Sequence, residues 1–169
     1  MHLAPAVRPQ PAPPPPVRAS DVVAYLLARR GPMQQLKLQK LLYYCQAWRL
    51  AYGREPLFGD RIEAWAAGPV VPNVWHNHRY EYMVEREPDG DVRALSHDQR
   101  ADIDAVLDSY FAFSGNELSE LTHKEKPWRD ARVGVPDRGR SGQVISPDAM
   151  AEYYGARRPD AQVAAVAAV

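Results

Sequence analysis

A single cysteine, Cys45, stands among 169 residues. No internal disulfide can form, and a zinc site built from cysteines is excluded. No run approaches the roughly 20 apolar residues that a membrane-spanning helix needs. A charged start followed by an apolar stretch, the mark of a secretory leader, is also missing, so a cytoplasmic protein is expected. Net charge is absent as well, because 21 Lys and Arg balance 21 Asp and Glu. Proteins that live on nucleic acid usually carry a basic excess, so nucleic acid is not the expected partner. There is no Gly-rich phosphate loop, no Gly-x-Ser-x-Gly elbow and no internal repeat.

What is there reads as one domain of ordinary size with tails. Apolar residues make up 46% and charged residues 25%, a globular composition. The charge balance holds only in the sum. Residues 1–80 carry ten basic and four acidic groups, whereas residues 81–120 carry three basic and eleven acidic ones. The acidic middle is either a solvated face or an attraction for a basic partner.

Residues 1–18 are rich in proline, including the run Pro13 to Pro16, and read as an extended tail. A domain is expected over 19–155, and a flexible C-terminal tail over 156–169. Ser20 is placed to cap a first helix, which Gly31 ends and Pro32 keeps from extending. A second helix is predicted from about Gln34 to Tyr52. Leu38, Leu41, Leu42, Cys45, Trp48 and Tyr52 share one stripe of it, and Leu36, Tyr43, Ala47 and Leu50 a second on the far side. A helix apolar on both sides is buried from both sides, which makes this the central helix of the fold.

Arg61 to Trp65 alternates like a short strand, Gly68-Pro69 turns the chain, and Pro72 starts a helix. Pro88-Asp89-Gly90 between Tyr82–Glu87 and Asp91–Leu95 suggests a hairpin. Ser96 with Gln99, and Ser114 with Glu117, are capping boxes for two further helices, the first running to about Phe113. Pro127-Trp128 opens a turn, and Ser146-Pro147-Asp148 caps a last helix to Tyr154. The expected fold is α+β and mostly helical: five or six helices around a central one, with a small antiparallel β element.

Chemistry-bearing groups are few. His76 and His78 are two apart, so on a helix they point away from each other and cannot share a metal ion. His123 near Glu120 is the one candidate acid–base pair, set against a packing or capping role for the histidine. Ser119 and Thr122 lie close in sequence, without a visible third member of a triad. No cofactor and no metal are expected.

One set of residues is distinctive. The run Leu36-Lys37-Leu38-Gln39-Lys40-Leu41-Leu42-Tyr43-Tyr44-Cys45-Gln46-Ala47-Trp48 resembles the opening helix signature of the Panacea family, also called SocA-like antitoxin domains. Further blocks agree in order and spacing: Pro56-Leu57-Phe58, Ile62-Glu63-Ala64-Trp65, and Gly68-Pro69-Val70-Val71-Pro72. Glu117-Leu118-Ser119, Leu121-Thr122-His123 and Pro127-Trp128 follow late in the chain. The resemblance covers about Ser20 to Ala131.

It implies an antitoxin, of a kind common in prophages, that neutralises the toxin encoded beside it by direct binding and is not an enzyme. Two alternatives follow from the same resemblance. One is an adaptor that delivers a toxin to an ATP-dependent protease; the small apolar end Ala164 to Val169 itself reads either as a protease-recognised degradation signal, suited to a labile antitoxin, or as a structureless end. The other is a hydrolase that reverses toxin chemistry. Packing alone accounts for Leu38, Leu41, Leu42, Cys45 and Trp48. The expected partner-facing set is Lys37, Lys40, Tyr43, Tyr44, Arg61, Glu63 and Trp65, since Tyr, Trp and Arg dominate binding hot spots. Core packing remains the competing reading for Tyr43 and Trp65.

Overall fold

A computed structural model describes residues 16–157, so the proline-rich and C-terminal tails lie almost wholly outside the described residues. Among these residues seven α-helices and four short strands form an α+β fold dominated by helix. That is one or two helices more than expected, because the segment at Pro127, expected as a turn, is a short helix. None of the helices is long and apolar enough to cross a membrane.

The first helix, α1 (Ala19–Arg30), is capped at Arg18, two residues before Ser20. The Asp21 carboxylate instead reaches back to accept from the backbone N–H of Arg18 at 2.9 Å. Gly31 closes the helix at φ +77, where a side chain would be strained, and its N–H donates to the Leu27 carbonyl.

Strand β1 (Met33–Gln34) leads into α2 (Gln35–Ala51), the centre of the fold. Both of its stripes are covered: α7, α5 and α4 pack on it, and so does α1. Every residue from Leu38 to Trp48 is buried, including the polar Gln39, Lys40 and Gln46. Cys45 is a core group whose thiol is pushed well above its ordinary range by burial, so it is not poised as a nucleophile.

Strands β2 (Glu63–Trp65) and β3 (Gly68–Val70) form an antiparallel hairpin, with Glu63 opposite Val70 and Trp65 opposite Gly68. Pro72 occupies the first turn of α3 (Pro72–His78), as its missing N–H favours. The expected second hairpin does not form. Strand β4 (Met83–Val84) pairs with β1, Met33 opposite Val84, and residues Val92–Ala94 make a turn of 3-10 helix. The cause is α1. Gly90 packs so tightly on it that an added Cβ would lie 2.2 Å from the Ser20 carbonyl oxygen, and Asp21 accepts from Asp91 N at 2.8 Å. The second arm is thereby held against α1 and away from the first.

Both capping boxes are formed. Ser96 starts α4 (His97–Tyr110), and Ser114 starts α5 (Gly115–Lys124). The chain turns after Tyr110, short of Phe113, so that Ser114 can cap. Helices α6 (Lys126–Ala131) and α7 (Pro147–Gly155) complete the fold.

The uneven charge along the sequence is matched within the fold. Asp102 of α4 receives Arg49 at 2.6 Å and Arg54 at 3.0 Å, Asp104 receives Arg29 at 3.1 Å, and Asp108 receives Arg30 at 3.3 Å. Much of the acidic face of α4 is therefore met by the basic first half of the chain.

Candidate functional site

The first half of α2 supplies the floor of a pocket of about 800 Å³. Gln39 and Lys40 lie there with Leu36; the β2–β3 hairpin adds Glu63, Trp65 and Val70; Trp75 of α3 and the segment 140–142 close the sides. This volume is in the range of small-molecule sites, and the wall is mostly apolar with a few converging polar groups.

The walls are held by identifiable contacts. Gln39 Oε1 accepts from Val71 N at 2.8 Å, and Lys40 Nζ donates to the Pro69 carbonyl at 2.9 Å. Both side chains thus fix α2 to β3 and the residue after it. Gly68, at φ +109, lets Lys40 lie flat beneath it, since an added Cβ would meet Lys40 Cε at 2.6 Å. Glu63 is saturated from two sides: Arg61 Nε donates to Oε1 at 2.9 Å and Trp65 Nε1 to Oε2 at 2.7 Å. Trp65 and Trp75 meet edge to face at 5.2 Å.

Arg132 places the remaining wall. Its guanidinium donates to the Ala64 carbonyl and to the Pro136 and Gly139 carbonyls, each at 2.9 Å. It is buried, and it ties the loop after α6 to the back of β2. Ala64 N then donates to the Gln143 carbonyl, and Ile145 N to the Ile62 carbonyl, which runs the segment after residue 140 alongside the hairpin.

Of the residues expected to face a partner, the structure brings Lys40, Glu63 and Trp65 together in this pocket, with exposed Arg61 bound to Glu63. Lys37 is apart from them: its ammonium lies 3.9 Å from the centre of the Phe111 ring and bonds the Phe111 carbonyl. Lys40, Tyr43 and Tyr44 are buried and present no outer surface. Their place on α2 explains this, because the helix is covered on both sides.

Tyr43 and Tyr44 belong instead to an internal network. Tyr44 donates to Glu125 Oε1 at 2.5 Å, Tyr43 and Tyr154 share a hydrogen bond of 3.0 Å, and Tyr110 accepts from Trp48 Nε1 at 2.8 Å. Burial pushes all four tyrosines well up, the Glu125 charge adding to the effect, and burial raises Glu125 itself to about 7.

Burial also acts on Lys40, lowering its ammonium to about 7. His123 is half-buried and stacked on Trp128 at 4.1 Å, with its Nε2 unpartnered. Burial and the nearby Lys40 charge hold it below the usual histidine range. Glu120 is exposed and makes no hydrogen bond to it, so the acid–base pair suggested by spacing is not assembled. Among the described residues no group of three His, Cys, Asp or Glu is placed to hold a metal.

Several residues of this face escaped the sequence reading. Gln39 carried a usable signal, since a polar residue inside a two-sided apolar helix needs a buried partner. Trp75 lies on the helix that Pro72 starts and is outside the expected partner-facing set. The stretch at 140–142 gave no local signal at all. Gln35, also in the pocket lining, binds the segment after α3: its backbone N–H donates to the Tyr82 carbonyl at 2.9 Å. Tyr80 and Tyr82 of that segment are 88% and 74% exposed, which is unusual for rings of this size.

The family model described as antitoxin SocA-like, Panacea domain, matches residues 38–129. No curated protein and no solved structure matches the chain. The matched span runs from the α2 floor of the pocket through the β2–β3 hairpin to α6, more than half of the sequence, and the chain belongs to the SocA-like antitoxin, Panacea-domain family.

Proposed function

We propose that this chain is an antitoxin that neutralises a cognate protein toxin by direct binding, with no chemistry of its own. Membership of the family carries this reading. The surface supports it in kind: Arg61, the rim of Trp65, Trp75, and the exposed Tyr80 and Tyr82 supply the residue types on which tight interfaces turn. Rigid backing by α2 and the hairpin keeps the ordering cost of such a face low.

Co-expression with the product of the neighbouring gene tests the reading. The neighbour should arrest growth alone, be harmless beside this chain, and co-purify with it. A neighbour that is harmless by itself, or a toxic one that is rescued without forming a complex, overturns it.

A further inference from the structure

The pocket is an apolar concavity whose reachable charge is of one sign. Lys40 and Gln39 form its floor, but both are buried and tied to Pro69 and Val71, so they brace the site and do not meet an occupant. Glu63, the one carboxylate of the lining, is held by Arg61 at 2.9 Å and by the Trp65 indole at 2.7 Å. Arg140 differs from these. It lines the pocket, is exposed, and pairs with no carboxylate among the described residues.

Beside this cation the walls are apolar and run past the rim. Leu36, Trp65 and Trp75 are half-buried in the lining. Glu63 stands opposite Val70 on one side and Val144 on the other, so Val144, 50% exposed, continues the same face outward. Across the pocket, Gln35 carries the exposed Tyr82. A compact ligand within the 800 Å³ would leave both margins bare, whereas a peptide segment covers them. From the cation and these margins we infer that the pocket receives an acidic peptide segment. Its large apolar side chains seat against Trp65 and Trp75, and a carboxylate beside them meets Arg140. Under the proposed function the segment belongs to the toxin, and that assignment rests on that reading.

Titration calorimetry of the full chain with the peptide acetyl-Glu-Asp-Leu-Phe-Asp-Glu-amide, and with a counterpart carrying Lys for every acid, tests the pocket without the toxin. The acidic peptide should bind with a Kd below about 1 mM, and the basic one at least about tenfold more weakly, a difference that shrinks in high salt. Gly142→Phe should abolish binding. An added Cβ there meets only Glu63 Oε2, at 4.0 Å, so the ring fits without strain and fills the site. Arg140→Glu should remove the preference for the acidic peptide. Equal affinity for the two peptides overturns the inference, and so does no binding at millimolar concentration. Undiminished binding in Gly142→Phe, or an unchanged preference in Arg140→Glu, does the same. In the complex with the neighbouring gene product, each variant should weaken the pair at least about tenfold at an unchanged unfolding midpoint. A neutralising pair that tolerates both variants overturns the assignment to the toxin and leaves the proposed function standing. A neighbour that forms no complex removes that function, while the peptide titration still decides the pocket.

Discussion

Tyr44 donates its phenolic proton to Glu125 Oε1 across 2.5 Å, between the central helix and the start of α6, with both side chains shut away from water. An ionised carboxylate in that place accepts from Tyr44 and makes no ion pair among the described residues, and its Oε2 has no partner. The protonated acid is the form that fits.

A pH dependence of stability follows. An ordinary glutamate in the unfolded chain titrates near 4.5, whereas burial raises Glu125 to about 7 in the fold. Between those values the folded form holds a proton that the unfolded form has lost. Stability therefore falls as pH rises through this window, by roughly 3 kcal/mol in all. Glu125→Gln mimics the protonated acid and should remove that fall, leaving the variant the more stable protein above pH 7. Urea denaturation at a series of pH values checks it, and an unchanged slope in the variant would sink the idea.

Lys40 acts with the opposite sign. Its unfolded value of 10.5 is lowered to about 7 by burial alone, so between these values the unfolded form holds the extra proton. Stability should rise with pH above 7, and the cost of the buried charge is fully present below it. Lys40→Met is expected to be more stable than the unaltered chain at pH 6, by a few kcal/mol (roughly 1–4 in comparable replacements of buried charge). Thermal or urea unfolding at pH 6 and pH 10 reads this, because the advantage should shrink as pH rises.

The elements whose cause is local were legible before the fold was known. The capping boxes at Ser96 and Ser114, the stop at Gly31 and the Pro72 start are each set by neighbours within four residues. The two stripes of α2 also predicted its central place. Legibility failed where distant residues decide. Pro88-Asp89-Gly90 has the chemistry of a hairpin, but the fit of Gly90 on α1 and the bond from Asp91 N to Asp21 outweigh it. Tyr43 and Tyr44 look like hot-spot residues by type, yet their burial depends on α7, about a hundred residues later in the chain. The pocket could not be read from any window, since its floor, hairpin and last wall come from three separate parts of the sequence.

Arg132 is the tie that holds the last of these walls. Its guanidinium serves carbonyls on β2 and on the loop 136–139, and none of those bonds belongs to the packed helices. Arg132→Met should therefore loosen residues 136–145 without unfolding the domain. Amide hydrogen exchange should speed up there while α2 and α4 stay protected. A global rise in exchange would show that Arg132 supports the core, and no change would show that the loop is held by other contacts.

Surface and core aromatics should separate cleanly if the proposed face binds the toxin. Trp65 lies partly open beside Glu63, and Tyr82 is mostly exposed at the margin of the pocket. Trp65→Ala or Tyr82→Ala should weaken toxin binding by about 2 kcal/mol or more, roughly thirtyfold, with little loss of stability for Tyr82. Tyr43→Phe removes only the bond to Tyr154, so it should cost about 1 kcal/mol of stability and leave affinity unchanged. Calorimetry of the co-purified pair, with unfolding curves of each variant alone, distinguishes the two effects. Full affinity in both surface variants would move the toxin contact to another face, whereas lost affinity in Tyr43→Phe would mean that the buried network shapes the surface that the toxin meets.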